Sequence, residues 1–192
     1  MKQFAGFKSE APAAKYPMLP AGTYVAGIRN VKVDGAEPDQ QLILRLDIIE
    51  GQEAGYYTKR YEHEGKNTSG NYPVRYKGDF RIQIPDPNNT KRPHPEWDLR
   101  SFNNAMWAIE QSNPGYKWDW NEAGLKGKIV GINVRESTYN SNLFTKIGRL
   151  EDANAVRAGT VKALPPQKEK EDKPVIDAAS GMPMVATEDL PF

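Results

Sequence analysis

Alternation of apolar and polar residues predicts most of the regular structure in this chain. Between Gln41 and Ile49, leucine and isoleucine recur at every second position, which is the period of a β-strand with one buried face. The glycine-bracketed stretch Gly51–Gly55 then predicts a turn, and the aromatic segment Tyr56–Tyr61 predicts a second strand. Together these segments are interpreted as a hairpin around which the rest of the domain is built.

The same period recurs along the middle of the chain, with one helical interruption. In Glu96–Asn113 the apolar residues Leu99, Phe102, Met106 and Ile109 are spaced as on one face of a helix, and this stripe is predicted to be core. The other predicted strands are Thr23–Val33, Val74–Ile84, Leu125–Arg135 and Leu143–Leu150. The pairing of residues 62–95 is left open.

Three strands, a helix and a closing hairpin form the element order of an OB-fold. The predicted fold is therefore mainly β, an OB-fold-like β-barrel with one helix between strands 3 and 4. Residues 1–20 show no period and are predicted to be an N-terminal arm, and residues 21–160 form the predicted domain. The Pro-rich, charged stretch 161–192 has the composition of a disordered acidic tail.

Composition removes several classes of function. The chain has no cysteine, so disulfides and thiolate chemistry are excluded. His63 and His94 are too isolated to suggest a metal site, no glycine-rich phosphate loop is present, and nothing supports catalysis. We therefore expect no enzyme activity and no cofactor. No apolar run approaches the roughly 20 residues that span a membrane, and the N-terminus lacks a signal-peptide core, so a cytoplasmic protein is expected.

Charge is divided unevenly along the chain. The total is +1, but Pro165–Phe192 carries −3 and the preceding residues carry +4. A basic body suggests an anionic ligand, although small imbalances of this size also occur by chance.

Basic and aromatic side chains on the predicted strands and turns suggest what that ligand is. Cations match phosphates and flat rings stack on bases, which is how proteins hold a single-stranded nucleic acid. The alternative is solvated surface charge and ordinary ring packing, which is expected for about half of the tyrosines. The candidate DNA-binding residues are Arg29, Arg45, Lys59, Arg60, Tyr61, Tyr72, Arg75, Tyr76, Lys77, Arg81, Arg135, Tyr139 and Lys146. The four tryptophans are assigned mainly to packing.

Two parts of the chain resemble single-stranded DNA-binding proteins. The C-terminal tip is similar to the acidic, Pro-Phe-ended tip of the bacterial type, although it has only two acids. That tip consists of Glu188, Asp189, Leu190, Pro191 and Phe192. The body resembles bacteriophage single-stranded DNA-binding proteins at Pro20–Tyr24 (PAGTY), Leu44–Gly51 (LRLDIIEG) and Ser101–Asn103 (SFN).

The resemblance implies a function in phage DNA replication, recombination or repair, inside the host cell. The body would coat single-stranded DNA without regard to sequence, and the tip would dock replication and recombination proteins. Self-association into a homo-oligomer is left open. The alternative is an OB-like protein-interaction or recombination accessory module that has no affinity of its own for single-stranded DNA.

Overall fold

A single antiparallel sheet organises the protein. The computed structural model describes residues 15–66, 74–86, 89 and 91–167. Its strands are β1 (Gly22–Asp34), β2 (Gln41–Ile48), β3 (Asp79–Gln83), β4 (Ile129–Tyr139) and β5 (Asn142–Glu151), in the spatial order β3-β2-β1-β4-β5. The prediction of a mainly β protein is confirmed. In the described ranges β3 and β5 do not pair with each other, so the sheet is open.

Strand β2 lies at the centre of the core because every second residue points inward. Leu42, Leu44, Leu46 and Ile48 are each at most 1% exposed. They lie on the inner face with the alternate apolar residues of β1 and β4, and the helix α2 (Pro95–Ser112) covers this face through contacts with β3, β4 and β5. Burying this apolar surface is the main stabilising contribution.

A β-bulge in β1 changes which residues face outward. Ile28 lies opposite Leu46, but the register shifts at the next residue, so that Asn30 lies opposite Arg45. A bulge adds one residue to a strand and reverses the facing of everything beyond it. Lys32 therefore shares the outer face with Arg45, although simple alternation groups it with the buried Ile28.

The segment predicted as the second hairpin strand is helical. Helix α1 spans Tyr56–Lys66, and the rings of Tyr56 and Tyr57 are buried in the core. The carboxylate of Asp47 accepts the backbone N–H of Tyr57 at 3.0 Å and the hydroxyl of Thr58. This carboxylate, supplied by β2, satisfies donors that the first turn of a helix otherwise leaves unpaired.

Two other expectations also need correction. The predicted strand Val74–Ile84 is shorter, because only Asp79–Gln83 pairs with β2 and the residues before Gly78 are loop. On α2, Leu99 is 48% exposed rather than core, whereas Phe102, Met106 and Ile109 are buried as predicted.

The described chain continues past the predicted domain boundary at residue 160. After helix α3 (Ala153–Arg157), residues 161–167 run beside β4, and Gln167 forms a parallel bridge with Ser137. Asn133 in β4 is fully buried; its side chain donates to the carbonyl of Lys162 at 2.9 Å and accepts the N–H of Leu164 at 3.1 Å. We call residues 161–167 the strap. The predicted tail from 168 onward and the predicted arm before residue 15 lie outside the described residues.

Candidate nucleic-acid interface

The outer face of β1, β2 and β3 carries an open groove. Antiparallel pairing brings side chains from the three strands into register across this face. Two rows result: Asn30, Arg45 and Asp79, and next to it Lys32, Ile43 and Arg81. A depression of about 220 Å³ lies over these rows and adjoins a second depression of about 590 Å³, with Arg45, Asp79 and Arg81 lining both.

The groove has an excess of positive charge. Its cations outnumber its carboxylates by five to two, so the formal excess is three positive charges. The cations are Lys32, Arg45, Arg75, Lys77 and Arg81, and the carboxylates are Asp34 and Asp79. Such a surface attracts a polyanion, and the attraction weakens with salt.

These cations differ in how far their charge is already neutralised. Lys32 bonds Asp34 at 2.7 Å, and Arg81 lies 3.9 Å from the same carboxylate, so the two cations share one acid. Arg75 and Lys77, in the exposed loop before β3, make no ion pair with any carboxylate in the described ranges. They are the groove cations most available to an added phosphate.

A cluster of tyrosines forms one wall of the groove. The ring of Tyr76 lies 5.7 Å from that of Tyr61 and 6.3 Å from that of Tyr57. The Tyr76 hydroxyl donates to the carbonyl of Leu46 at 3.1 Å, and burial raises the pKa of Tyr76 to about 12. The Tyr76 side chain is therefore fixed in place by contacts within the protein. Tyr61, on α1, is 44% exposed and presents its ring to solvent.

A second basic and aromatic cluster lies on the β4–β5 hairpin. Arg135 and Lys146 are opposite one another in the pairing register, and Tyr139 is 67% exposed near the turn. Burial, followed by the neighbouring charge of Arg135, lowers the pKa of Lys146. Arg135 also donates to the side chain of Gln167 at 2.7 Å, so the strap lies against this cluster.

The two clusters are separated by a covered part of the outer face. On the outer face between β2 and β5, Asp47 is buried beneath α1. Helix α3 covers Gly131 so closely that an added Cβ would lie 2.7 Å from Val156. Asn133 is covered by the strap. The predicted cations therefore form two surfaces rather than one continuous track.

The predicted site residues that the structure describes thus fall into three groups. The groove brings together Arg45, Tyr61, Arg75, Tyr76, Lys77 and Arg81, whereas Arg135, Tyr139 and Lys146 lie at the hairpin. Arg29, Lys59 and Arg60 do not line the groove: Arg29 is exposed at the bulge, Lys59 bonds the carbonyl of Ala54 at 2.7 Å, and Arg60 pairs with Glu64 at 2.6 Å. Tyr72 and the tip Glu188–Phe192 lie outside the described residues.

One groove cation, Lys32, was missed by the sequence prediction. Its outward position depends on the bulge after Ile28, which periodicity does not reveal. Trp120 belongs to neither surface; its ring stacks on Phe102 with centroids 5.6 Å apart and is 68% exposed. Trp118 is partly buried against the core, in agreement with a packing role.

Other kinds of site find no support in residues 15–66, 74–86, 89 and 91–167. No group of three or more His, Asp or Glu residues is arranged there to hold a metal ion. None of the helices in this part of the chain has the length and apolarity needed to cross a membrane. No protein-family model matches the sequence, and no curated protein matches it.

Proposed function

We propose that this protein binds single-stranded DNA in the groove on β1–β3. The observation that carries the proposal is the coincidence in one open groove of the exposed ring of Tyr61 with Arg75 and Lys77, two cations that form no ion pair among the described residues. Cations for the backbone beside rings for the bases are the two elements of sequence-independent binding to unpaired strands. Duplex DNA keeps its bases stacked inside the helix, so it would not engage the ring.

The topology supports the same proposal through the OB-fold. The order β3-β2-β1-β4-β5, with α2 after β3, supports an OB-fold, because a five-stranded OB barrel cut between β3 and β5 would have this order. Helix α2 contacts both of those edge strands, as expected if it covers the end of a partly open barrel. In OB-folds the face of strands 2 and 3 is a common place for oligonucleotides, and here that face carries the groove.

The proposal also includes the roles implied by the sequence resemblance. The protein would protect exposed strands during phage replication or recombination, and the tip Glu188–Phe192 would recruit partner enzymes. Deleting the tip separates this from the alternative of an accessory module. In our proposal the deletion leaves DNA affinity intact at low salt, whereas an accessory module binds no DNA of its own and would lose its only activity, docking to partner proteins.

The binding test is a titration of fluorescently labelled oligo(dT) followed by anisotropy over a salt series. We compare the wild type with R75A/K77A and with the control R100A/K126A, which removes two exposed cations outside the groove. If both groove cations contact phosphates, the slope of log affinity against log salt becomes shallower by about 1.4 for R75A/K77A. The control keeps the wild-type slope.

Three results would reject the proposal. Absence of oligo(dT) binding by the wild type at low salt would show that the protein does not bind single-stranded DNA. Equal losses in the groove and control variants would show that net charge, not the groove, attracts the DNA. Competition by duplex DNA as effective as that by single strands would contradict recognition of unpaired bases.

A further inference from the structure

Arg45 differs from every other cation of the groove in its surroundings. Its Nε and Nη2 atoms donate to the two carboxylate oxygens of Asp79 at 2.9 and 3.2 Å. Its Cζ atom lies over the ring of Tyr76, 4.8 Å from the ring centroid. The side chain is nevertheless 46% exposed and lines both halves of the groove.

The ion pair reduces what Arg45 can offer to a phosphate. A two-pronged bond to Asp79 uses one edge of the guanidinium and places a compensating negative charge against it. The hydrogen bonds to the Asp79 carboxylate also raise the pKa of Arg45, so the guanidinium stays charged and keeps its partner. A phosphate approaching this position meets a pair with no net charge.

The same contacts favour a different role for the side chain. A guanidinium is planar and weakly hydrated, and it stacks on flat rings, which the compact ammonium of lysine does not do. Asp79 on β3 and Tyr76 before it hold the group in place, so little rotamer entropy remains to be lost on binding. Its exposed side lies in the groove near Tyr61.

We propose that Arg45 binds a DNA base by stacking and does not act as a phosphate ligand. This inference rests on the proposed function and divides the groove by chemistry. Arg75 and Lys77, for which the described part of the chain supplies no ion-pair partner, bind the sugar–phosphate backbone. Arg45, braced by Asp79 and Tyr76, continues the aromatic wall begun by Tyr61, so consecutive bases find flat surfaces on β2 and α1.

Two oligonucleotides of equal length and charge test this division: oligo(dT), and an abasic strand that keeps the phosphates without the bases. R45K keeps the positive charge but replaces the planar guanidinium by an ammonium group, which cannot stack on a base. We expect it to weaken oligo(dT) binding by roughly 5- to 150-fold, the equivalent of one lost stacked base, and to leave the abasic strand unaffected. The comparator R75A removes a phosphate ligand, so it weakens both strands alike.

A charge-neutral double variant separates stacking from charge. R45M/D79N removes the guanidinium with its carboxylate, so the net charge of the groove does not change. Stacking predicts a loss on oligo(dT) only and an unchanged salt slope, whereas a phosphate ligand predicts losses on both strands and a slope shallower by about 0.7. Circular dichroism confirms that each variant is folded.

The results distinguish failure of the inference about Arg45 from failure of the proposed function. If the wild type binds both strands but R45K and R45M/D79N weaken them equally, Arg45 is a phosphate ligand and the inference is overturned while the function stands. If R45K keeps the full preference for oligo(dT), the stacking surface is elsewhere. If the wild type binds neither strand at low salt, both proposals are overturned.

Discussion

The carboxylate of Asp47, buried in β2, accepts the backbone N–H of Tyr57 at 3.0 Å, ten residues further along the chain. The same carboxylate accepts the N–H of Ile48 and the hydroxyl of Thr58. One side chain thus fixes the start of α1 against the sheet. The position of Tyr61, one turn later, follows from this contact.

Replacing Asp47 by alanine should destabilise the protein strongly, because it leaves the buried N–H groups of Ile48 and Tyr57 without an acceptor and removes the partner of the Thr58 hydroxyl. We expect the free energy of unfolding to fall by about 2–4 kcal/mol, measured by urea denaturation. E62A, an exposed change on the same helix, is the control and should stay within about 0.5 kcal/mol. Equal stability of D47A and the wild type would show that the carboxylate does not hold α1.

Gly78 should tolerate no side chain. A Cβ at this position would clash with the carbonyl oxygen of Leu46 and lie 2.8 Å from Cγ of Tyr57, so β3 would have to move away from β2. We expect G78A to lower the free energy of unfolding by about 3 kcal/mol.

The matched control for G78A is G65A on α1, where an added Cβ meets nothing within 4 Å. Because alanine is the better helix former, G65A should be neutral or stabilising by up to about 1 kcal/mol. Thermal melting should give a clearly lower melting temperature for G78A than for G65A. Similar melting temperatures would contradict the close approach at Gly78.

Asn133 should hold the strap in place. N133A removes the donor to Lys162 and the acceptor for Leu164, and we expect a loss of about 2 kcal/mol with faster hydrogen exchange at the Leu164 amide. N142A, an exposed amide on β5, should leave that exchange rate unchanged. An unchanged rate in N133A itself would mean that the strap is held by other contacts.

Stability should fall at alkaline pH because of the tyrosine cluster. Burial raises the pKa of Tyr76 to about 12 and also raises that of Tyr57. Between pH 10, where the unfolded tyrosines lose their protons, and the higher pKa values of the folded state, the folded protein binds more protons than the unfolded one. The free energy of unfolding therefore decreases as pH rises through this window, by at most about 1.4 kcal/mol per pH unit for each tyrosine.

Urea denaturation at pH 9, 10 and 11 measures this slope. Y76F should flatten it, because phenylalanine has no proton to lose. Y139F, at a ring that is 67% exposed, should leave the slope unchanged. If Y76F and Y139F behaved alike, the cluster would not be the source of the pH dependence.

The strands were predictable from sequence because their periodicity reports burial directly. Leu42, Leu44 and Leu46 face one side of β2 in the sequence pattern and in the sheet. The helix at Tyr56 was not predictable in the same way. Its aromatic residues favour a strand locally, and the carboxylate that stabilises its first turn lies on another element. Tertiary contacts decided the conformation there.

The candidate site was predictable only in part, for a related reason. Arg45 and Arg81 were named from the sequence, but they converge because β2 pairs in register with β3, and the pattern had predicted Tyr56–Tyr61 as the partner of β2 instead. The outward turn of Lys32 depends on a one-residue bulge, and the separation of Arg135 from the groove depends on how α1, α3 and the strap cover the sheet. Neither leaves a periodic signal.

The attachment of Tyr61 to the sheet through helix α1 affects how the groove responds to heat. Its helix is joined to β2 near its first turn, whereas Arg45 belongs to β2 itself. On warming, a short helix frays well before a five-stranded core melts. If the groove binds DNA as proposed, affinity for oligo(dT) should therefore decline at temperatures where the far-ultraviolet circular dichroism signal of the sheet is still complete, and it should return on cooling.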